Sequence, residues 1–353
     1  MLTTWRLWKL HLGSMDNPLA LYPRSHYAGI LKPELPAGAN ALARSRLWRV
    51  PIHVAIAVLA SVAIARGWLP WPLVPVASLV IGTSFACLTF VAHEALHGGI
   101  VRNKRVQYLV GWFGFVPFLV SPRLWIAWHN RDHHANTQLA DDPDCYATLV
   151  RYKARASTRF SVDAFSLGGR RWRGALSLIL GFTVQAADQL FSSRAVTARE
   201  RKLAMVESAG AVVMWGVVAA LVGFVPFLFV YVLPVLIANA CVMAFILTNH
   251  SLSPRLSIND PLIGGLSVTT TRLVEWLTLG FGYHVEHHLF PAMSMRHAPA
   301  LRTLVRARWP ERYQSMPLVT ALGKLHRSGR VYKDDTTLFD PMTGREYETL
   351  MPG

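Results

Sequence analysis

Residues 73–92 run for twenty positions without one charged side chain. Wound as a helix at 1.5 Å per residue, such a run covers about 30 Å, the thickness of a bilayer's hydrocarbon core. Four segments approach this requirement: about 48–65, 71–93, 206–223 and 225–248. The first two are joined by "RGWLPW" and the last two by "GFVP", so the helices are expected to pair as two hairpins. Trp68 and Trp71 then sit in the aromatic belt of one membrane face. Composition agrees. The chain is 52% hydrophobic and only 16% charged, against about 25% charged in soluble domains.

The 36 Lys and Arg residues set the orientation. Seven lie in 1–50, sixteen in 98–204 and twelve in 251–353, with Arg66 alone elsewhere. The short connections are nearly bare of positive charge, which places them outside and the termini and the 98–204 loop in the cytoplasm. Within that loop, 106–120 is short and interrupted by Pro117, and 174–190 is flanked by polar and basic residues. Both read as helices lying in the interface. The expected fold is all-α and integral to the membrane. It has four transmembrane helices in two hairpins, interfacial helices and a cytoplasmic histidine-box cap. The division is a cytoplasmic arm over 1–45, a membrane domain over 46–310 and a cytoplasmic tail over 311–353. Near the end of the tail, "KDDTTLFDPMTGREYE" reads as turns and loop.

Other features say less. Cys87, Cys145 and Cys241 are isolated and form no disulfide framework. The opening "MLTTWRLWKLHLGSMDN" lacks an apolar run long enough for a signal-peptide core; a short interfacial segment or a solvated arm fits it. No internal repeat, low-complexity tract or linker stands out. The net charge of +16 follows from topology and attraction to anionic headgroups, at about 1 kcal/mol per basic residue near the surface. It also suits docking of an acidic electron donor. Nothing here requires nucleic acid.

Nine of the fourteen histidines fall near predicted cytoplasmic helix ends. "HEALH" holds His93 and His97, "HNRDHH" holds His129, His133 and His134, "TNH" holds His250, and "HVEHH" holds His284, His287 and His288. About twenty residues counted from Leu73 end at Ala92, and from Pro226 at Phe245. His93, His97 and His250 therefore emerge at one level. At about 100° per residue, His93 and His97 share a helix face, as do His129 and His133, with His134 turned about 100° away. The third cluster spans an arc of about 100°, and an HxxxHH segment such as His129–His134 can feed two ions, one from each direction. Eight or nine imidazoles are too many for one ion and suit a metal pair. His11, His26, His53, His297 and His326 are isolated and read as ordinary polar residues.

"HEALH" also fits the HExxH zinc-protease pattern, with Glu94 as general base. The other six clustered histidines are surplus to that chemistry, and no G-x-x-H continuation follows. A transporter would place ionisable groups near the midplane, yet the third and fourth spans hold no charge beyond Glu207 and the histidines gather at one end. Imidazole suits zinc, copper, iron and nickel. A membrane-facing site suggests a lipid substrate, and an unactivated C–H bond calls for an iron–oxygen oxidant.

The order HExxH, HxxxHH, HxxHH resembles the membrane fatty acid desaturase/hydroxylase superfamily over about residues 40–310. "HHANTQLADDPD" and "GYHVEHHLFP" are similar to its acyl-lipid desaturase branch. The resemblance implies a non-haem di-iron centre (two Fe ions) that uses O2 and two external electrons to place a double bond in an acyl chain. Its catalytic ligands are then His93, His97, His129, His133, His134, His284, His287 and His288. An additional histidine at the end of the fourth span also ligates in structurally known relatives, and His250 fits that place. A water-mediated asparagine of the animal acyl-CoA enzymes corresponds here to apolar Ile246, and Asn249 is assigned no direct role.

Carotenoid ketolases and hydroxylases share the histidine pattern and are the near alternatives. The histidine-supporting acids are expected among Glu94, Asp132, Asp141, Asp142, Asp144 and Glu286. No GxGxxG or "HPGG" signature occurs, so electrons are expected from a separate ferredoxin or cytochrome. The substrate is expected to be an acyl lipid or acyl thioester.

Overall fold

A computed structural model describes residues 20–165 and 172–352. The amphipathic opening and His11 lie outside the described residues. The architecture is mostly helical, beginning with α1 (Arg24–Leu31), α2 (Arg49–Ala65), α3 (Val74–Leu96) and α4 (Lys104–Phe115). It continues with α5 (Pro122–Asn136), α6 (Ala175–Ser192), α7 (Ala198–Val222) and α8 (Phe224–His250). Short helices follow, among them α9 (His284–Leu289), α10 (Ala298–Arg308) and α11 (Leu318–Arg327).

Among the described residues, five helices are long and apolar enough to cross a membrane: Arg44–Ala65, Trp71–Leu96, Ala175–Ser192, Ala198–Val222 and Phe224–His250. Helix α7 begins eight residues before the expected 206. Thr197 and Glu200 form a capping box that starts it, and the charged turn "ARERK" continues out of the apolar run. Glu207 consequently lies inside the helix rather than at its start. There it accepts hydrogen bonds from Tyr108 Oη and Ser121 Oγ and pairs with Arg123.

Helix α3 is the centre of the bundle: 67% of its apolar window is buried, against 17% for α2 and 6% for α7. Close approach depends on missing side chains. A Cβ at Gly82 would stand 2.7 Å from Pro234 O of α8, and one at Gly114 would stand 2.4 Å from Ala92 Cβ. Asn239 on α8 accepts from Thr183 N at 3.2 Å and donates to Thr183 Oγ1 at 3.2 Å, fastening α6 to the bundle.

The 106–120 stretch continues through Phe118, then turns by 103° into α5. Leu119 adopts φ 61° at the bend, and Ser121 Oγ accepts from Arg123 N and Leu124 N to start α5. Carbonyls at the bend are satisfied by side chains: Trp215 Nε1 donates to Val116 O at 3.1 Å and Tyr231 Oη to Pro117 O at 3.0 Å. Ser78 Oγ likewise donates to Phe229 O at 2.7 Å, beside a π-helical turn at Leu228–Val232. Irregular backbone inside an apolar bundle requires such partners.

The chain ends wrap the histidine-bearing end. Strands β1 (Ser267–Thr269) and β2 (Ser315–Pro317) pair in parallel. The "KDDTTLFDPMTGREYE" stretch is not only turns: β4 (Thr337–Phe339) and β5 (Glu346–Glu348) form an antiparallel hairpin joined to β3 (Val331–Tyr332). Its reversal uses Gly344 at φ 70°, the left-handed conformation that glycine tolerates. A fully buried Arg312–Asp260 pair at 2.7 Å, with Tyr27 Oη donating to Asp260 at 2.9 Å, locks α1 and the tail together.

Candidate metal centre

Four elements bring nine histidines to one end of the bundle. The last turn of α3 presents His93 and His97, α5 presents His129, His133 and His134, α8 ends at His250, and α9 presents the remaining three. They sort into two groups. Ligand atoms of His93, His97, His129 and His287 lie within 4.8 Å of one another, and so do those of His133, His250, His284 and His288. His134 joins the first group: its Nε2 is 3.2 Å from His129 Nε2 and 3.1 Å from His287 Nε2.

The spacing of α5 differs in part from expectation. His129 and His133 lie side by side as expected, their rings stacked 5.2 Å apart and their ligand atoms within 4.8 Å of each other and of Asp144. But His134 also returns to His129, so that His129 and His134 share the first group while His133 completes the second. The cause is a π-helix over Ile126–His133. A π-helix closes its hydrogen bonds from i to i+5, so residues five apart align. One wide turn thereby serves both groups. In the third cluster His284 and His288 enter one group and His287 the other, as a single segment feeding two ions requires.

The chemistry of the donors suits metal. His97 Nε2, His133 Nε2, His134 Nδ1, His284 Nδ1 and His288 Nε2 are buried without a hydrogen-bond partner among the described residues. Unpartnered buried nitrogens are costly unless something else binds them. Burial, reinforced by neighbouring imidazoles, holds His284, His287 and His288 well below the usual histidine range. They are neutral, the state in which imidazole donates a lone pair.

Outer nitrogens are oriented. His133 Nδ1 is 2.8 Å from Asp142 Oδ1 and 3.4 Å from Asp144 Oδ2. His250 Nδ1 is 3.2 Å from Gly264 O. His288 Nδ1 is 3.3 Å from Thr137 Oγ1, whose own hydrogen goes to His133 O.

The other expected acids act elsewhere. Glu94 is bound by Arg46, Ser294 Oγ and Met295 N. Glu286 is bound by Ser267, Arg302 and Tyr313. Asp132 accepts from Asn136 Nδ2 at 2.9 Å, and Asp141 is exposed. Asn249 is fully buried, and neither side-chain polar atom has a hydrogen-bond partner among the described residues.

Residues that the sequence did not single out support the site. Gln138, at φ 60°, donates from Nε2 to His250 O at 2.8 Å and Ser253 O at 3.1 Å. It thus ties the second cluster to the end of α8. Trp128 Nε1 and Gln185 Nε2 hold Asp144 Oδ1 at 2.9 and 2.6 Å. A lone glutamine or tryptophan carries no sequence signal for such a role.

His93, His129, His133, His250 and His284 open onto a narrow cavity of about 30 Å³. Apart from imidazoles and Asp144 its wall is mainly apolar, with Phe90, Phe115, Phe182, Val242, Ile246 and Phe281. That space holds about one water, so an acyl chain would need the aromatic rings to move.

Residues 68–319 match the family model described as "Fatty acid desaturase". The chain is 21% identical over 254 residues to the chloroplastic omega-6 fatty acid desaturase of Spinacia oleracea, covering 69% of this chain and 55% of that one. It is 22% identical over 259 residues to Delta(8)-fatty-acid desaturase 2 of Arabidopsis thaliana, covering 65% and 57%. A shorter match, 31% over 83 residues (24% and 23%), is to the sn-1 acyl-lipid omega-3 desaturase (ferredoxin) of Synechocystis sp.. The chain spans about half the length of the spinach and Arabidopsis proteins. With two buried histidine groups beside an apolar cavity and a match over most of its length, this chain belongs to the fatty acid desaturase family.

Proposed function

We propose that this protein is a membrane-bound di-iron acyl desaturase that uses O2 and external electrons to introduce a double bond into an acyl chain. The observation that carries the reading is the pair of histidine groups, each within 4.8 Å, facing one apolar cavity. His93, His97, His129, His134 and His287 would hold one iron, and His133, His250, His284 and His288 the other. When bound, the iron pair supplies the O2-dependent oxidation of an unactivated C–H bond.

The chain's own residues do the rest. Asp142, Thr137 and Gly264 O fix three imidazole planes, so the free nitrogens converge before metal arrives. Phe90, Phe281, Ile246 and Val242 exclude water and offer dispersion contacts to a methylene chain. The engagement of Glu94 by Arg46, Ser294 and Met295 N removes it as a general base, which speaks against the HExxH protease alternative.

In the topology that fits this reading, α2, α3, α7 and α8 cross the membrane as two hairpins, while the α4–α5 bend and α6 lie in the interface. Both termini and the metal pair are then cytoplasmic, with residues 46–310 forming the membrane domain. Partial polarity of α6, which carries Gln185, Asp188 and Gln189, supports the interfacial placement. The basic cytoplasmic face suits a separate acidic electron donor, a ferredoxin or cytochrome.

Expression in a host of known lipid content, followed by mass spectrometry, tests the reading. A new acyl double bond supports it, whereas an added hydroxyl or an altered carotenoid assigns the chain to its superfamily alternatives. Metal analysis of iron-loaded protein is expected to return about two ions per chain.

A further inference from the structure

Helix α9 is only six residues long, His284–Leu289. So short a helix has little rigidity of its own, yet it contributes to both histidine groups. At about 100° per residue, its histidines fall on one side and Glu286 on the opposite one. Glu286 is fully buried. Its Oε2 accepts from Ser267 Oγ at 2.7 Å, and its Oε1 accepts from Arg302 Nε at 3.0 Å and Tyr313 Oη at 2.5 Å. Ser267 Oγ also accepts the Val285 N–H at 3.0 Å. The Arg302 guanidinium lies 4.0 Å from the ring centroid of Tyr283, the residue before His284. Arg302 therefore grips α9 at its start by stacking and at its middle by an ion pair.

We propose that Glu286, Arg302 and Tyr313 are positioning residues that set the angle at which α9 presents His284, His287 and His288. The inference rests on the metal-pair reading above. Arg302 belongs to α10 and Tyr313 follows it, so the segment after the last histidine cluster orients that cluster. Ligand geometry tolerates errors of only about 0.5 Å or 10–20°, and a roll of α9 would displace both groups together.

The test is a Co(II) titration of the full-length protein in detergent, reading affinity, stoichiometry and visible ligand-field bands. Wild type is compared with Glu286→Gln, Arg302→Met, Tyr313→Phe and the double variant Glu286→Gln/Arg302→Met, with thermal unfolding followed in parallel. Wild type is expected to bind two cobalt ions. Glu286→Gln and Arg302→Met are expected to lose about tenfold or more in affinity, with shifted bands. Tyr313→Phe, lacking one hydroxyl, is expected to shift the bands with a smaller loss. The double variant is expected to recover part of the affinity, because it leaves no unpaired buried charge.

Wild-type affinity and unchanged bands in Glu286→Gln and Tyr313→Phe would overturn the inference, as would losses that merely follow thermal stability. If Glu286→Gln does not fold, Tyr313→Phe decides. A wild-type protein that binds no cobalt sinks the metal-pair reading itself, which separates the two failures.

Discussion

Asp142 Oδ1 meets His133 Nδ1 at 2.8 Å, while Nε2 of the same ring is buried with no hydrogen-bond partner among the described residues. The carboxylate is itself pinned: Oδ2 accepts from Gln138 N at 2.7 Å and Oδ1 from Asp144 N at 3.0 Å. An acid held by the backbone and turned to one nitrogen of a ring directs the other nitrogen inward. Asp142→Asn is expected to lower metal affinity about 10- to 100-fold. Metal titration of the purified variant checks this; affinity equal to wild type would show that the contact does not orient the ring.

His287 takes part in the first group and lies 3.1 Å from His134 Nε2. His287→Ala is expected to abolish desaturation while the protein stays in the membrane fraction, because the spans are untouched. Lipid profiling and fractionation of the same cells measure both. Full turnover in this variant would refute the ligand assignment.

Ile246 lines the cavity one turn before His250. Ile246→Trp would fill space that an acyl chain needs, without removing an imidazole. Turnover is expected to fall about tenfold or more, the equivalent of 1–3 kcal/mol of overpacking at the reacting chain. Metal content is expected to hold. Undiminished product formation by this variant would place the acyl path elsewhere.

Arg312 and Asp260 are both fully buried and 2.7 Å apart. Arg312→Met alone leaves the carboxylate buried without its cation, with an expected loss of about 3–5 kcal/mol. Arg312→Met/Asp260→Asn is expected to be milder, since no unpaired charge remains. Thermal unfolding in detergent measures both, and equal Tm values for the single variant and wild type would show that the pair does not hold the tail.

Much of this was legible in the chain as written. Long uncharged runs showed where apolar helices form, because no other local pattern satisfies the backbone in lipid. The angular argument placed His93 with His97 at the end of an ordinary α-helix, and put His284, His287 and His288 within one arc without saying which of them would part from the others. For His129, His133 and His134 it allowed one segment to feed two ions but did not show that His134 would join His129. A π-turn widens the spacing there, and such turns arise from tertiary demands that local composition does not announce. The start of α7 was missed because its capping box lies in a charged turn, outside the hydrophobic pattern.

The supporting acids show the same division. Six were nearby in sequence, yet only Asp142 and Asp144 reach a histidine, while Glu94 and Glu286 turn to arginines from distant segments. By itself the sequence determined the chemistry available: apolar helices, imidazole donors in three clusters, and His250 at matching depth. Only the tertiary structure decided which imidazole joins which group and what holds each one there. Those choices depend on contacts between residues far apart in the chain, such as Gln138 with His250 O and Glu286 with Tyr313, whose proximity follows from packing rather than from spacing.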